Sequence, residues 1–299
     1  MINTKKQSNN FVIYISSAII AYYILISIWP LFYNIYLSFG KTDLITDYKF
    51  VGLRNYIFLT KDKIFWKSLT NNLFYLVLMV SIGTISSILF SIMIWKTKGF
   101  LRRFYTAMFF APVVTSIVAV SLVWTILYYP KVGVIAQSIS SIFGYDNNQL
   151  TFLSDPSIAL LCIVIVDIWK DTGIRTLIFL NGLDNIPKSI IESAKIEGVN
   201  NIKESLYILI PLLRPQIVFV VATYSINAIR VYVPIYMMTG SPPGGPSHST
   251  ITTTLHMYFS SFYGGRFGYG AALSLVMFVF LFILVIMMIK SFDKHWEYY

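Results

Sequence analysis

Charge is scarce in this chain. Aspartate, glutamate, lysine and arginine make up 12% of its 299 residues, about half the roughly 25% of an ordinary soluble domain. Hydrophobic residues make up 56%. One water-soluble core cannot hide that much apolar surface, so a soluble globular fold is excluded and the class is a polytopic membrane protein. Cysteine is nearly absent: Cys162 stands alone in an apolar run. No intramolecular disulfide can form, and the redox compartment stays open. The three histidines, His248, His256 and His295, show no HExxH or other ligand spacing, so neither a metal site nor an acid–base pair is expected. No serine or aspartate grouping forms a nucleophile signature. The phosphate-cradling pattern GxxxxGK[ST] is missing too, so this chain is not expected to hold a nucleotide.

What is present is apolar length. A membrane-crossing helix needs about 20 mostly apolar residues, and six stretches qualify: about 11–39, 73–95, 107–129, 158–180, 216–238 and 271–289. These predict an all-α chain that forms one domain over 1–299. Pro30 predicts a kink or tilt in the first span. The run after MINTKKQSNN lacks a small-residue cleavage site and is expected to be a retained span. The net charge of +10 suits basic loops against anionic headgroups, not nucleic acid. With both termini cytoplasmic, the inner segments carry 12 basic residues in 66 positions and the outer ones 8 in 93. The inner density is higher, as the positive-inside rule requires, and KTKGFLRR at 96–103 is its clearest signal. The mixed-charge stretch 40–72 is expected to hold short interfacial helices.

One stretch breaks the apolar pattern. Residues 192–215 read ESAKIEGVNNIKESLYILIPLLRP. Asn185 and Pro187 suit a helix start. Gly198 suits its end. Asn201 and Glu204 have capping-box-like spacing for a second helix, which Pro211 stops or kinks. Ile190, Ile191 and Ala194 form a small apolar face, with Glu192, Lys195 and Glu197 mostly elsewhere. Such a helix either lies on the headgroups or docks into a groove on a cytoplasmic partner.

ESAKIEG followed by ILIP resembles the EAA loop of binding-protein-dependent ABC importers. Glu192, Ala194, Gly198, Ile208 and Pro211 fit that pattern; Ser193, Glu197 and Ile210 depart mildly. Further elements resemble the carbohydrate-uptake permeases of the first maltose and glycerol-3-phosphate type: FVGLRNY at 50–56, FFAPVV at 109–114, IPKSIIESAKIEG at 186–198, MTGSPPGGPSHST at 238–250 with Ser241 and Pro242 departing, and FGYGAALS at 267–274. The resemblance covers nearly the whole chain.

It implies half of a pore in a bacterial or archaeal plasma membrane, importing a sugar, oligosaccharide or related polyol or glycerol phosphate. The implied partners are a second permease, two cytoplasmic ATPase subunits and an extracellular solute-binding protein. ATP and Mg would be used by the ATPases, with no cofactor bound by this chain. The coupling residues would be Glu192, Ser193, Ala194, Glu197, Gly198 and Pro211. Ionisable groups at membrane depth face a cavity or a partner. Asp167, Asp171 and Arg175, spaced by four, share a helix face with Lys170 nearby, and Asn227 and Arg230 lie in the fifth span. They form either an internal ion-pair ladder or solute contacts. Trp124, Tyr128, Tyr129, Trp169, Tyr224 and Tyr232 could stack on sugar rings, although most aromatics should be interfacial. The competing classes are an autonomous ion-coupled carrier and a polytopic membrane enzyme.

Overall fold

The computed structural model describes residues 2–45, 47–144, 151–240 and 243–293, with side chains described between 13 and 290. Ser241, Pro242 and His295 lie outside the described residues. The chain is almost entirely helical. In order it forms α1 (Ile2–Tyr23), α2 (Trp29–Ser38), β1 (Gly40–Lys41), β2 (Lys49–Phe50), α3 (Arg54–Lys61), α4 (Lys63–Trp95), α5 (Gly99–Phe110), α6 (Ile117–Leu127), α7 (Val134–Phe143), α8 (Ala159–Asp184), α9 (Lys188–Ile196), α10 (Asn201–Glu204), α11 (Ile210–Leu212), α12 (Arg214–Arg230), α13 (Val233–Met238), α14 (Thr253–Tyr258) and α15 (Phe267–Asp293).

Two compact units can be distinguished: the residues up to Asp62 with Met257–Phe278, and Lys63–His256 with the residues from Val279 on. In the first unit a π-turn, Ile24–Ile28, joins α1 to α2. Pro30 explains it: proline has no N–H for the carbonyl of Ile26 and its ring crowds that carbonyl, so the turn before it widens. The stretch after α2 is a small antiparallel hairpin pairing Gly40 with Phe50 and Lys41 with Lys49, followed by α3. The FVGLRNY element ties this hairpin to the helix end. Asn55 Nδ2 donates to the carbonyls of Ser38 (2.8 Å) and Gly40 (2.9 Å), and Tyr56 Oη donates to Ser38 Oγ at 2.8 Å. The first of these bonds satisfies a carbonyl that the helix terminus leaves open. The FGYG element meets the same region: Phe267 N–H donates to the Thr42 carbonyl at 3.1 Å, and Tyr269 Oη to Asp62 Oδ2 at 2.5 Å.

In the second unit α4 packs along α8 and α12, and α13 along α6. Tyr75, Met79, Ile163, Phe179, Leu183 and Tyr224 are fully enclosed there. Helix α4 begins at Lys63, ten residues before the expected span, because Ser68, Asn71 and Asn72 are polar yet buried. Hydropathy alone does not see such a turn. The third span is not a straight helix over 107–129: Gly99–Val114 and Ile117–Leu127 meet at 98°. Pro112 lies in a 3-10 turn, Ala111–Val114, and Thr115 and Ser116 are extended. Helix α8 passes so close to this bend that a Cβ on Gly173 would lie 2.1 Å from the Phe109 carbonyl oxygen. Only glycine permits that approach. The segment leading into the fifth span bends by 72° where Asn201–Leu212 meets Arg214–Arg230, and the span itself breaks after Arg230. By length and composition Ile13–Ser38, Lys63–Trp95 and Phe267–Lys290 can each cross a bilayer unbroken. Helix α8 has 26 residues but carries Asp167, Lys170, Asp171 and Arg175.

Candidate functional site

The charged stretch folds as a helix, a corner and a second helix. Asn185 closes α8 instead of opening the next helix: its N–H donates to the carbonyls of Asn181 and Gly182, both at 3.2 Å, and its amide to the Asn181 carbonyl at 2.8 Å. Pro187, with φ −57° and ψ 130°, is the residue that starts α9. Ile191 and Ala194 are buried, while Ile190, expected beside them, is 38% exposed. Glu192, Ser193, Lys195 and Glu197 are exposed, and Ile196 is 86% exposed. Gly198 sits at φ +75°. Val199 N–H donates to the Ala194 carbonyl and Gly198 N–H to that of Lys195, each at 3.1 Å. This is a Schellman ending, which requires a left-handed residue at the glycine.

The next helix is capped one residue earlier than expected. Asn200 Oδ1 accepts from Lys203 N–H at 2.8 Å. The third helical position is therefore Lys203, and Glu204 takes no part in the cap; it is buried. A π-turn, Ser205–Leu209, precedes Pro211, and the chain turns at Leu213 into α12. Pro211 thus widens the helix but does not stop it.

The membrane-depth polar residues fall into separate bonded groups on α8. Tyr75 donates to Asp167. Asp171 pairs with Arg175 at 3.0 Å and accepts from Asn227 Nδ2 at 3.2 Å. The Arg175 guanidinium lies 4.4 Å from the centre of the Tyr224 ring, and Tyr224 Oη is 3.4 Å from Ser87 Oγ. Lys170 Nζ donates to the Val113 carbonyl at the α5–α6 bend, at 3.3 Å. The structure thus ties Asp167 on α8 to α4 through Tyr75, and separately joins Asp171, Asn227 and Tyr224 across α8 and α12 through Arg175, with Ser87 of α4 beside Tyr224. Arg230 is exposed at the end of α12. Trp124 and Tyr128 belong to a separate aromatic group. Trp124 lies 5.5 Å from both Tyr128 and Trp169, and Tyr128 lies 5.4 Å from Phe152. Tyr128 and Tyr224 are enclosed; Trp169, Tyr129 and Tyr232 are exposed.

Sequence reasoning missed a pair of amides, Asn71 and Asn72. Asn71 Nδ2 donates to the carbonyls of His248 (3.1 Å) and Ile251 (2.8 Å), which fastens the Pro-Gly segment, where Ser247 and His248 adopt positive φ. Asn72 Nδ2 donates to the Ala228 carbonyl at 2.9 Å. Thr254 Oγ1 donates to the Ile229 carbonyl at 3.0 Å and Thr252 Oγ1 to that of Val231 at 2.8 Å. The carbonyls freed by the break after Arg230 are therefore taken up by side chains, as membrane-depth backbone requires. The signal was available: adjacent amides heading an apolar run are costly in lipid and mark a specific task.

Residues 80–294 match the family of binding-protein-dependent transport system inner membrane components. The chain belongs to this family. It is 31% identical over 237 residues to the lactose transport system permease of Rhizobium radiobacter, covering 79% of this chain and 78% of that protein. It is 31% identical over 250 residues to the trehalose/maltose transport system permease of Thermococcus litoralis, covering 82% and 81%. The fold matches a bacterial alginate ABC transporter solved in complex with an alginate pentasaccharide-bound periplasmic protein. That match has a TM-score of 0.81 and 19% identity and covers 95% of this chain and 94% of that one. This permease is accordingly a multi-pass membrane subunit of a binding-protein-dependent transport system.

Proposed function

We propose that this permease forms half of the pore of an ATP-driven importer for a sugar or oligosaccharide, as one domain with six spans and both termini in the cytoplasm of a bacterial or archaeal cell. The observation that carries this reading is α9. It is a short peripheral helix with Ile191 and Ala194 seated on its own chain, the charged residues and Ile196 exposed, and a left-handed glycine fixing the corner. Such a knob transmits force by contact. Its exposed face fits a cleft on a cytoplasmic ATPase, and Glu192, Ser193, Ala194, Glu197, Gly198 and Pro211 are the coupling residues. The remaining partners are a second permease, a second ATPase and an extracellular solute-binding protein. ATP and Mg are used by the ATPases, and this chain supplies no catalytic group and binds no cofactor. The carbohydrate class is supported by the lactose and trehalose/maltose permeases among its relatives.

Within the membrane, Asp167, Asp171 and Tyr224 hold α4, α8 and α12 together, and the exposed Asn227 and Arg230, with the half-buried Trp124 beside Tyr128, line the solute path. The decisive test is uptake of labelled oligosaccharides by proteoliposomes containing the chain co-expressed with its genomic neighbours. Uptake that needs both internal ATP and the binding protein supports the proposal. Uptake by the chain alone on an ion gradient would replace it with an autonomous carrier.

A further inference from the structure

A groove of about 630 Å³ runs between α5 and α8, lined by Gly99, Arg102, Arg103, Thr106, Ala107, Phe110, Leu177 and Leu180. Its two ends differ in chemistry. Arg102 and Arg103 stand at one end, next to Lys96 and Lys98 in the most basic run of the chain. Ala107, Phe110, Leu177 and Leu180 form an apolar floor towards the bend that turns α5 into α6. On the outer side of α5, Phe100 and Phe104 are 78% and 51% exposed, which suits a helix lying at a headgroup boundary.

We propose that this groove holds one anionic phospholipid, its phosphate on Arg103 and Arg102 and an acyl chain along Ala107, Phe110, Leu177 and Leu180. The planar guanidinium fork matches phosphate oxygens, and Arg103 is exposed at the mouth. Arg102 already bridges the two walls by its 2.5 Å pair with Asp184, its side chain still 33% exposed. A phosphate there would sit beside two cations and one carboxylate, so the charge balance favours an anion. The apolar floor separates a lipid from a free phosphate: inorganic phosphate satisfies the arginines but leaves the floor uncovered. Basic pockets between membrane helices bind anionic headgroups in this way.

The test is native mass spectrometry of the purified full-length chain, with its co-purifying partners, after exchange into nanodiscs of phosphatidylglycerol mixed with phosphatidylcholine. The wild type is expected to retain one phosphatidylglycerol. Arg103→Gln should lower that retention about fivefold, the effect of one basic residue near an anionic surface. Ala107→Trp, which fills the floor and leaves the charge intact, should lower it at least as much. Lys203→Gln, which removes one exposed charge outside the groove, should change nothing. Equal losses in Arg103→Gln and Lys203→Gln would mean diffuse charge attraction and overturn the site. Retention unaffected by Ala107→Trp but displaced by millimolar inorganic phosphate would mean a free-anion site and overturn the lipid.

Discussion

Asn72 and Thr253 stand 181 positions apart and are joined twice: Thr253 N–H and Thr253 Oγ1 both donate to Asn72 Oδ1 at 2.7 Å. The same amide holds the Ala228 carbonyl on its other side. One buried side chain thus gathers α4, the end of α12 and the start of α14. Asn72→Ala leaves a buried N–H and a buried carbonyl open at about 1–3 kcal/mol each. The thermal unfolding midpoint of the purified protein in detergent should fall clearly. An unchanged midpoint would show that the clamp contributes nothing to stability.

Cys162 is 6% exposed and the only cysteine in the sequence, so introduced thiols report against a quiet background. Cysteines at Lys98 and Asn200 should be protected from impermeant reagents in intact cells, and one at Ser247 should label. Labelling at Asn200 from outside would reverse the proposed orientation and remove α9 from the cytoplasm.

At Gly198 a Cβ would meet open space, so substitution acts through the backbone alone, at about 1 kcal/mol and more for a β-branched residue. That is too little to unfold the chain but enough to misplace α9. Gly198→Val and Glu192→Lys should leave membrane insertion intact, abolish uptake and weaken ATPase retention on co-purification. Normal retention and normal uptake in Gly198→Val would favour a helix that only rests on the headgroups.

Asp171 and Arg175 test the membrane network. Asp171→Asn withdraws a charged acceptor from a buried guanidinium, at about 1.5–3 kcal/mol. The figure stays below the ~3–5 kcal/mol of a fully buried pair, because the Asp171 side chain keeps 27% exposure. The unfolding midpoint should drop while ATPase retention stays normal. Arg175→Gln should cost less in that background than it costs alone, since the pair is already broken and its contact with Tyr224 remains to be lost; fully additive losses would deny the coupling.

Gly173→Ala forces a Cβ against the Phe109 carbonyl, a backbone atom that cannot swing aside. Overpacking of this kind costs about 1–3 kcal/mol. Circular dichroism melts should show a lower midpoint than for an alanine placed at the exposed Ser189.

Much of this architecture was legible in the sequence, for identifiable reasons. Apolar runs of bilayer length located the main helices, and Gly198 with Pro187 marked the ends of α9. Hydropathy measures transfer to lipid and not direction, so it could not show that the chain turns by 98° near Pro112 or breaks after Arg230. Asn200 and Asn201 both cap well, and only the backbone decides between them. Asn55 and Asn72 act on carbonyls left open by helix ends elsewhere, and those bonds exist only once the helices are placed. The spacing of Asp167, Asp171 and Arg175 predicted a shared face, whereas Tyr75, Ser87 and Tyr224 came to it through packing.

Helix α8 is unbroken for 26 residues, and at Gly173 it rests backbone to backbone on Phe109. If that contact serves as a pivot, α8 acts as a lever about Gly173. Asp184, where the arm meets α9, lies eleven residues to one side, or about 16 Å at 1.5 Å per residue; Asp167 lies six to the other, or about 9 Å. A tilt about Gly173 that carries the α9 end sideways carries Asp167 the opposite way by roughly half as much. In the proposed orientation, motion of α9 about such a pivot would reach Asp167 reversed in direction and geared down.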